Sequence, residues 1–315
     1  MKSAALSTAV NSLRETYGER LQENVRMANF TTARVGGPAD ALLAVHSADE
    51  LAAVANSLWQ MDAPFIVLGS GSNLLVSDQG YHGIVLLNQA RNARFDDSGE
   101  NPTVWVESGA NFSSLARQAG LRGFSGLEWA STIPGTVGGA VYGNAGAFGG
   151  NTAGILLLAD ILHRTQGREQ WSVERMDYQY RSSALKRHPG DQIILAAMFW
   201  LTRKTPDAVK TKMDEFSARR RSTQPPGACL GSMFKNPPND YAGRLIEAAG
   251  LKGMRIGGAE ISPVHANFFI NDAEATASDY DQLIRLAQTR VAEQFGVQLQ
   301  LEVELLGDFS AEPSK

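Results

Sequence analysis

Leu6, Val10, Leu13, Tyr17 and Leu21 recur at helical spacing through the charged stretch 1–25 and predict an amphipathic helix there rather than a signal peptide. Ser47-Ala48-Asp49-Glu50 reads as a capping box that opens a helix running to about Met61. A short apolar strand over 64–68 leads straight into Gly69-Ser70-Gly71-Ser72-Asn73. Further strands are expected over 83–88 and over 103–109, where the alternation is clear, and Asn111 caps a short helix to Ala119. Strands resume over 155–163, 169–174 and 193–202. Thr205-Pro206 starts a helix with Pro in its first turn, and the basic run Arg219-Arg220-Arg221 closes it. The last long helix covers 278–294, with Leu283, Leu286, Ala287 and Val291 on one face. A final strand is expected over 297–305, its odd positions apolar and its even positions Gln298, Gln300, Glu302 and Glu304. Strands and helices mix without a regular βαβ repeat, which predicts an α+β fold. The boundary between domains is placed at the Thr205 helix, giving 1–203 and 204–315.

Composition narrows the partners. The 315 residues suffice for two or three domains, and 43% hydrophobic with 20% charged content is that of an ordinary globular protein. A net charge of -4 without a basic block argues against nucleic acid, and no run of about 18 apolar residues is present to cross a bilayer. Cys229 has no second cysteine to pair with, and the five histidines show no metal-ligand spacing. A cytoplasmic, metal-free protein is expected.

Three segments carry the chemistry. In Gly69-Ser70-Gly71-Ser72-Asn73, small residues after a strand let backbone N–H groups converge on one anion. The dinucleotide fingerprint fails because Leu74 holds its last glycine position, and no Lys follows to make a P-loop; a tight β-turn is an equal alternative. The second segment, Ser131-Thr132-Ile133-Pro134-Gly135-Thr136-Val137-Gly138-Gly139-Ala140, continues into Gly143-Asn144-Ala145-Gly146-Ala147 and lacks the side chains to fill a core. Glycine in such numbers marks close approach to the backbone. A Gly/Ala-packed crossing would explain it, but a flat, phosphate-bearing ligand explains it better. In the third, Gly227 to Pro237, the hydroxyl of Ser232 precedes Met233-Phe234 with Lys235 and Asn236 just behind, which suits proton delivery to an anionic substrate. The alternative is a surface turn ending in Asn-Pro.

Together these motifs resemble the UDP-N-acetylenolpyruvoylglucosamine reductase (MurB) family. The resemblance runs from Asn29-Phe30-Thr31-Thr32-Ala33-Arg34-Val35-Gly36-Gly37 to Gly307 and includes both glycine loops, Tyr180-Arg181-Ser182-Ser183, Gly231-Ser232 with Phe234-Lys235-Asn236-Pro237, and His265-Ala266-Asn267-Phe268. It implies an FAD-binding domain of the PCMH (vanillyl-alcohol-oxidase-like) type followed by a smaller α+β substrate-binding domain. By resemblance, FAD is held non-covalently by Gly69, Ser70, Gly71, Ser72, Asn73, Ser131, Ile133, Pro134, Gly135, Gly138, Gly139, Asn144, Ala145 and Gly146.

The family's reaction passes hydride from NADPH to FAD and then to C3 of an enolpyruvyl ether, with a proton to C2. The resemblance makes Ser232 the general acid and Arg181 the clamp on the substrate carboxylate. Strand periodicity leaves Glu302 and Glu304 on one face and does not choose between them; the family's Glu lies five residues before the closing glycine, which selects Glu302 relative to Gly307. Tyr180, Lys235 and Asn236 resemble substrate-binding positions, with the division between diphosphate and nicotinamide left open. Cys229, three residues before Ser232, could lie near the flavin, though an inert buried thiol is the commoner state. The chain is similar to the shorter branch of the family, which lacks a large inserted tyrosine loop, and Leu185 stands where the family more often has Phe. A monomer acting on a UDP-sugar is implied, without nucleic acid or membrane. Two other readings stay open. One is a different PCMH-fold flavin oxidase or dehydrogenase, many of which tether flavin through a His or Cys where this first glycine loop has only Ser and Asn. The other is a nucleotide-binding protein without catalysis, against which the three reacting residues speak.

Overall fold

The computed structural model describes residues 4–310. Two compact units are each assembled from separate stretches of chain. The first takes Met1–Leu21, Leu42–Gly69 and Ile84–Arg220, and the second takes Gln22–Ala41, Ser70–Gly83 and Arg221–Lys315.

The first unit is built on a five-stranded antiparallel sheet in the order Gly167–Ser172, Leu156–His163, Gln192–Trp200, Thr103–Glu107, Ala93–Asp96. Gln192–Trp200 is the central strand. Its apolar run Ile193–Ala197 is buried throughout, as a strand covered on both faces requires. Val104, Val106, Phe112, Trp129, Val141 and Phe199 lie in the core beneath it. Phe65–Leu68 pairs in parallel with residues 84–87 and points its end at the first glycine loop.

Local caps set the helices of this unit. The Ser47 side chain accepts from the Glu50 N–H, opening Ala48–Gln60; Glu50 in turn accepts from the His46 N–H at 2.7 Å, one residue before the position a closed capping box would use. Asn111 accepts from the Ser114 N–H and opens Phe112–Leu121. Glu107, 4% exposed, uses its two carboxylate oxygens on different donors: Oε1 accepts from the Ala48 N–H at 2.9 Å and Oε2 from the Asn92 N–H at 2.8 Å. Glu107→Gln turns an NH2 toward one of those N–H groups. We expect it to lower stability by about 1.5–3 kcal/mol, read as a lower urea midpoint; an unchanged midpoint would show that the carboxylate is not holding the strand to the helix.

The second unit carries a four-stranded antiparallel sheet in the order Ala228–Ser232, Phe268–Asn271, Ala259–Ile261, Arg255–Ile256. Helix Ala277–Phe295 covers it, opened by a complete capping box of Thr276 and Asp279 and closed by Gly296 at φ 66°. Leu283, Ala287 and Val291 are buried as the periodicity predicts, with Leu286 half-buried.

Several expectations are corrected. The helix expected over 1–25, whose first three residues lie outside the described ones, runs only over Ala4–Tyr17. Gly18 at φ 55° ends it, and Leu21–Arg26 is a strand. The strand expected over 169–174 is Gly167–Ser172, followed by a helical turn at Val173–Met176. The strand expected over 297–305 forms a ladder only at Glu304–Leu306, parallel to Leu74–Val76. Upstream of it the inward positions Leu299 and Val303 are buried, but their backbone meets an irregular partner at residues 233–235. Inside the second glycine segment lies a helix, Val137–Gly143, that propensity conceals because three of its seven residues are glycine.

Candidate active site

In the first unit the two glycine segments touch. A Cβ on Gly69 would stand 2.5 Å from Thr136 Oγ1, so only glycine lets the first segment pass there. Thr136 is itself the N-cap of Val137–Gly143, its hydroxyl accepting from the Gly139 N–H at 3.3 Å. The Gly138 N–H donates to Ser108 O at 2.7 Å, and a Cβ there would come within 3.0 Å of the Ser108 Cβ. The segment's glycines therefore divide into two kinds. Gly69 and Gly146 are held to glycine by close packing, against the Thr136 side chain and against residues 150–151, and Gly138 is tightly packed on Ser108. Gly139 has no neighbour nearer than 3.6 Å and Gly143 none within 4 Å, so their bare sides are open.

Just upstream, Ser131 is buried and its hydroxyl donates to Glu128 O at 2.7 Å. Thr132 Oγ1 is buried without a partner among the described residues, while Arg220 donates to the Thr132 carbonyl. The Ile133 N–H donates to Ala130 O, and Gly135, at φ 131°, accepts from the Phe112 N–H. An orphaned hydroxyl at Thr132 and bare glycine faces at Gly139 and Gly143 fit a surface that a flat, polar group covers.

The short helix also seats Arg181. The carbonyls at a helix C-terminus lack intrahelical donors. Here the Tyr178 hydroxyl donates to Val141 O at 2.9 Å and the Ser183 hydroxyl donates to Tyr142 O at 2.7 Å. Burial raises the pKa of the Tyr178 phenol, which keeps it a donor. Asn144, in the left-handed conformation at φ 47°, donates through Nδ2 to Gln179 O at 3.0 Å and accepts at Oδ1 from the Ala153 N–H at 3.1 Å. Gln179 and Ser182 exchange two backbone hydrogen bonds, leaving Tyr180 and Arg181 at the tip of a tight turn. Arg181 takes φ 54°, a conformation that costs a non-glycine residue about 1–2 kcal/mol. Its guanidinium donates to Gly146 O at 3.0 Å and lies 5.3 Å from the centroid of the exposed Tyr180 ring. Of Asn144, Ala145 and Gly146, read from the sequence as a flavin contact, Asn144 bonds the turn and Gly146 the arginine itself.

In the second unit Gly71 takes φ 60°, and a Cβ there would overlap the Phe30 carbonyl oxygen. Ser70 is exposed beside it, while Ser72 and Asn73 are half-buried. The Thr32 N–H donates to Gly71 O at 3.1 Å and its hydroxyl donates to Cys229 O at 2.6 Å, stapling the loop to the strand that ends at Ser232. Ser232 follows Gly231, at φ 79°, and a register break opposite Phe268–Asn271; such a bulge re-aims the side chain at its edge. Both edges beyond Ser232 are held. The Met233 N–H donates to Asn267 O at 2.7 Å, and the buried Asn267 carboxamide exchanges two bonds with Phe234, at 2.9 and 2.8 Å. On the other edge the Glu302 N–H donates to Met233 O at 2.9 Å and the Lys235 N–H to Gln300 O at 2.8 Å. Asn73 Nδ2 donates to Glu302 O at 3.0 Å.

The structure thus brings Ser232, Glu302 and Asn73 onto neighbouring segments of the second unit, and gathers Arg181, Tyr180, Asn144 and Gly146 in the first. Lys235 and Asn236 follow Ser232 without bonding its hydroxyl. Asn236 Oδ1 instead accepts from the Ala242 N–H at 3.1 Å, at the start of helix Ala242–Ala248. Thr32, Thr136 and Asn267 were given no role from the sequence. Thr136 carried a legible signal, a cap residue three before a glycine N–H, hidden by the glycines around it. Among the described residues no group of His, Cys, Asp or Glu is arranged to hold a metal, and no helix is long and apolar enough to cross a membrane.

Two family models match, one described as an FAD binding domain over residues 39–164 and one as the C-terminal domain of UDP-N-acetylenolpyruvoylglucosamine reductase over 223–306. The α+β fold is that of an FAD-binding oxidoreductase with a PCMH-type domain and a smaller C-terminal one. The UDP-N-acetylenolpyruvoylglucosamine reductase of Chloroflexus aggregans is 43% identical over 299 residues, 93% of this chain and 100% of that one. That of Bacillus subtilis is 38% identical over 304 residues, 96% and 99% of the two chains. The crystal structure of the Thermus caldophilus enzyme superposes with a TM-score of 0.78 at 35% identity, covering 91% of this chain and 99% of that one. The chain belongs to the UDP-N-acetylenolpyruvoylglucosamine reductase family.

Proposed function

We propose that this enzyme uses NADPH and non-covalently bound FAD to reduce UDP-N-acetylglucosamine enolpyruvate to UDP-N-acetylmuramate. The observation that supports the reading is the backbone bond from the Glu302 N–H to Met233 O, which joins the segment that carries Glu302 to the segment that carries Ser232. Residues 1–203 would carry the flavin and 204–315 the sugar nucleotide. Gly69, Ser70, Gly71, Ser72 and Asn73, with Ser131, Ile133, Pro134, Gly135, Gly138, Gly139, Ala145, Gly146 and the backbone of Asn144, are the residues assigned to FAD. When bound, FAD supplies the hydride for C3 of the enolpyruvyl ether.

The protein supplies the rest. Arg181 neutralises the carboxylate as its charge grows in the transition state. Ser232 Oγ delivers the proton to C2. Glu302 assists from the adjoining segment, polarising the acceptor or restoring the proton. Tyr180 walls the pocket. Lys235 supplies a cation for phosphate or nicotinamide, and Asn236, its oxygen engaged by Ala242, offers its NH2 group. The enzyme acts on these small molecules as a cytoplasmic monomer.

The test is a two-stage anaerobic spectrum of the FAD-loaded protein. NADPH should bleach the flavin bands, and the enolpyruvyl sugar nucleotide should restore them. Bleaching without recovery would remove the substrate assignment; absence of flavin bands after FAD is supplied would remove the reading of the glycine loops.

A further inference from the structure

We infer that Asn144 is a positioning residue for Arg181, acting through the turn that carries the arginine rather than by a side-chain contact with flavin. Both polar ends of its carboxamide are engaged by protein: Nδ2 by Gln179 O at 3.0 Å, Oδ1 by the Ala153 N–H at 3.1 Å. The residue is buried, and each end of the carboxamide has a protein partner within hydrogen-bond distance. Gln179 is the first residue of the turn, so the bond fixes the base from which Tyr180 and Arg181 project.

The left-handed φ of 54° at Arg181 makes such a device necessary. An arginine relaxes out of that conformation unless its surroundings over-determine it. Three ties to the helix C-terminus do so: the Tyr178 and Ser183 hydroxyls on Val141 and Tyr142, and Asn144 on Gln179. The hydroxyl ties flank the turn on either side; Asn144 alone of the three bonds the turn's own backbone. A guanidinium that must meet a carboxylate through a planar fork is sensitive to small rotations of its base.

The inference rests on the reading of Arg181 as the substrate clamp, and the test separates the two. Glycine suits the left-handed conformation, so Asn144→Gly removes the carboxamide without straining the backbone. In the FAD-loaded enzyme it should slow flavin reoxidation by the enolpyruvyl substrate roughly 10–100-fold, mostly through KM. The rate of flavin reduction by NADPH, the flavin content and a Tm within about 3 °C should be retained. In an Arg181→Ala background the same substitution should change reoxidation by no more than about twofold. Equal losses in both backgrounds would overturn the positioning role while leaving Arg181 its own. Loss of flavin in Asn144→Gly would overturn it in favour of a direct cofactor contact. An Arg181→Ala enzyme with full activity would overturn both. Should the glycine variant misfold, Asn144→Asp, which keeps the acceptor for Ala153 and loses the donor to Gln179, is read in the same cycle.

Discussion

Ser232→Ala should leave the reduction of bound flavin by NADPH at its normal rate and slow reoxidation by the enolpyruvyl substrate by roughly 10²–10⁴, the usual worth of a positioned general acid. The structure makes this a clean substitution. No hydrogen bond to Ser232 Oγ occurs among the described residues, so alanine strands no internal partner. The bulge that aims the side chain is made by Gly231, and the residues beyond are held by Asn267 and by the Glu302 backbone. A loss in the second half-reaction alone therefore reads as chemistry. Equal slowing of both halves would sink the assignment.

Glu302→Gln should lower kcat by about 10²–10³, within the range of a lost acid–base group or a lost transition-state dipole. Glu304→Gln should stay within about threefold, as substitutions away from a site do. Glu302 is tied on one side to Met233, the residue after Ser232, and on the other to the Asn73 side chain. Glu304 belongs to the short parallel strand and faces Leu74, its N–H donating to Asn73 O at 2.9 Å. Exchange of an oxygen for an NH2 disturbs neither backbone arrangement. Steady-state kinetics of the two variants side by side decide the matter, and the reverse ranking would hand the role to Glu304.

The contrast between these two carboxylates shows where the sequence was legible. Strand alternation placed both on one face and stopped there; what distinguishes them is a partner strand of which the chain gives no local sign. Caps such as Ser47 and Asn111 were readable because donor and acceptor lie three residues apart. The staple made by Thr32 spans 197 positions, and the Asn267 clamp on Phe234 spans 33, so neither has a local pattern to find. The Val137–Gly143 helix went unseen for a different reason. Its glycines argue against a helix, and only the Thr136 cap and packing against Ser108 override them. The final strand failed in the opposite direction, its alternation being the mark of a buried face and not of a ladder.

Those helix glycines have an evolutionary consequence. Gly139 lies in that helix with open space on its bare side, where alanine would meet nothing nearer than 3.6 Å and improve helix propensity by up to about 1 kcal/mol. On the proposed reading that space is where the flavin lies. Selection for a sturdier apoprotein and selection for the holoenzyme then pull on this codon in opposite directions. A screen for thermostability in the absence of flavin would enrich for alanine here and harvest proteins that fold better and load worse.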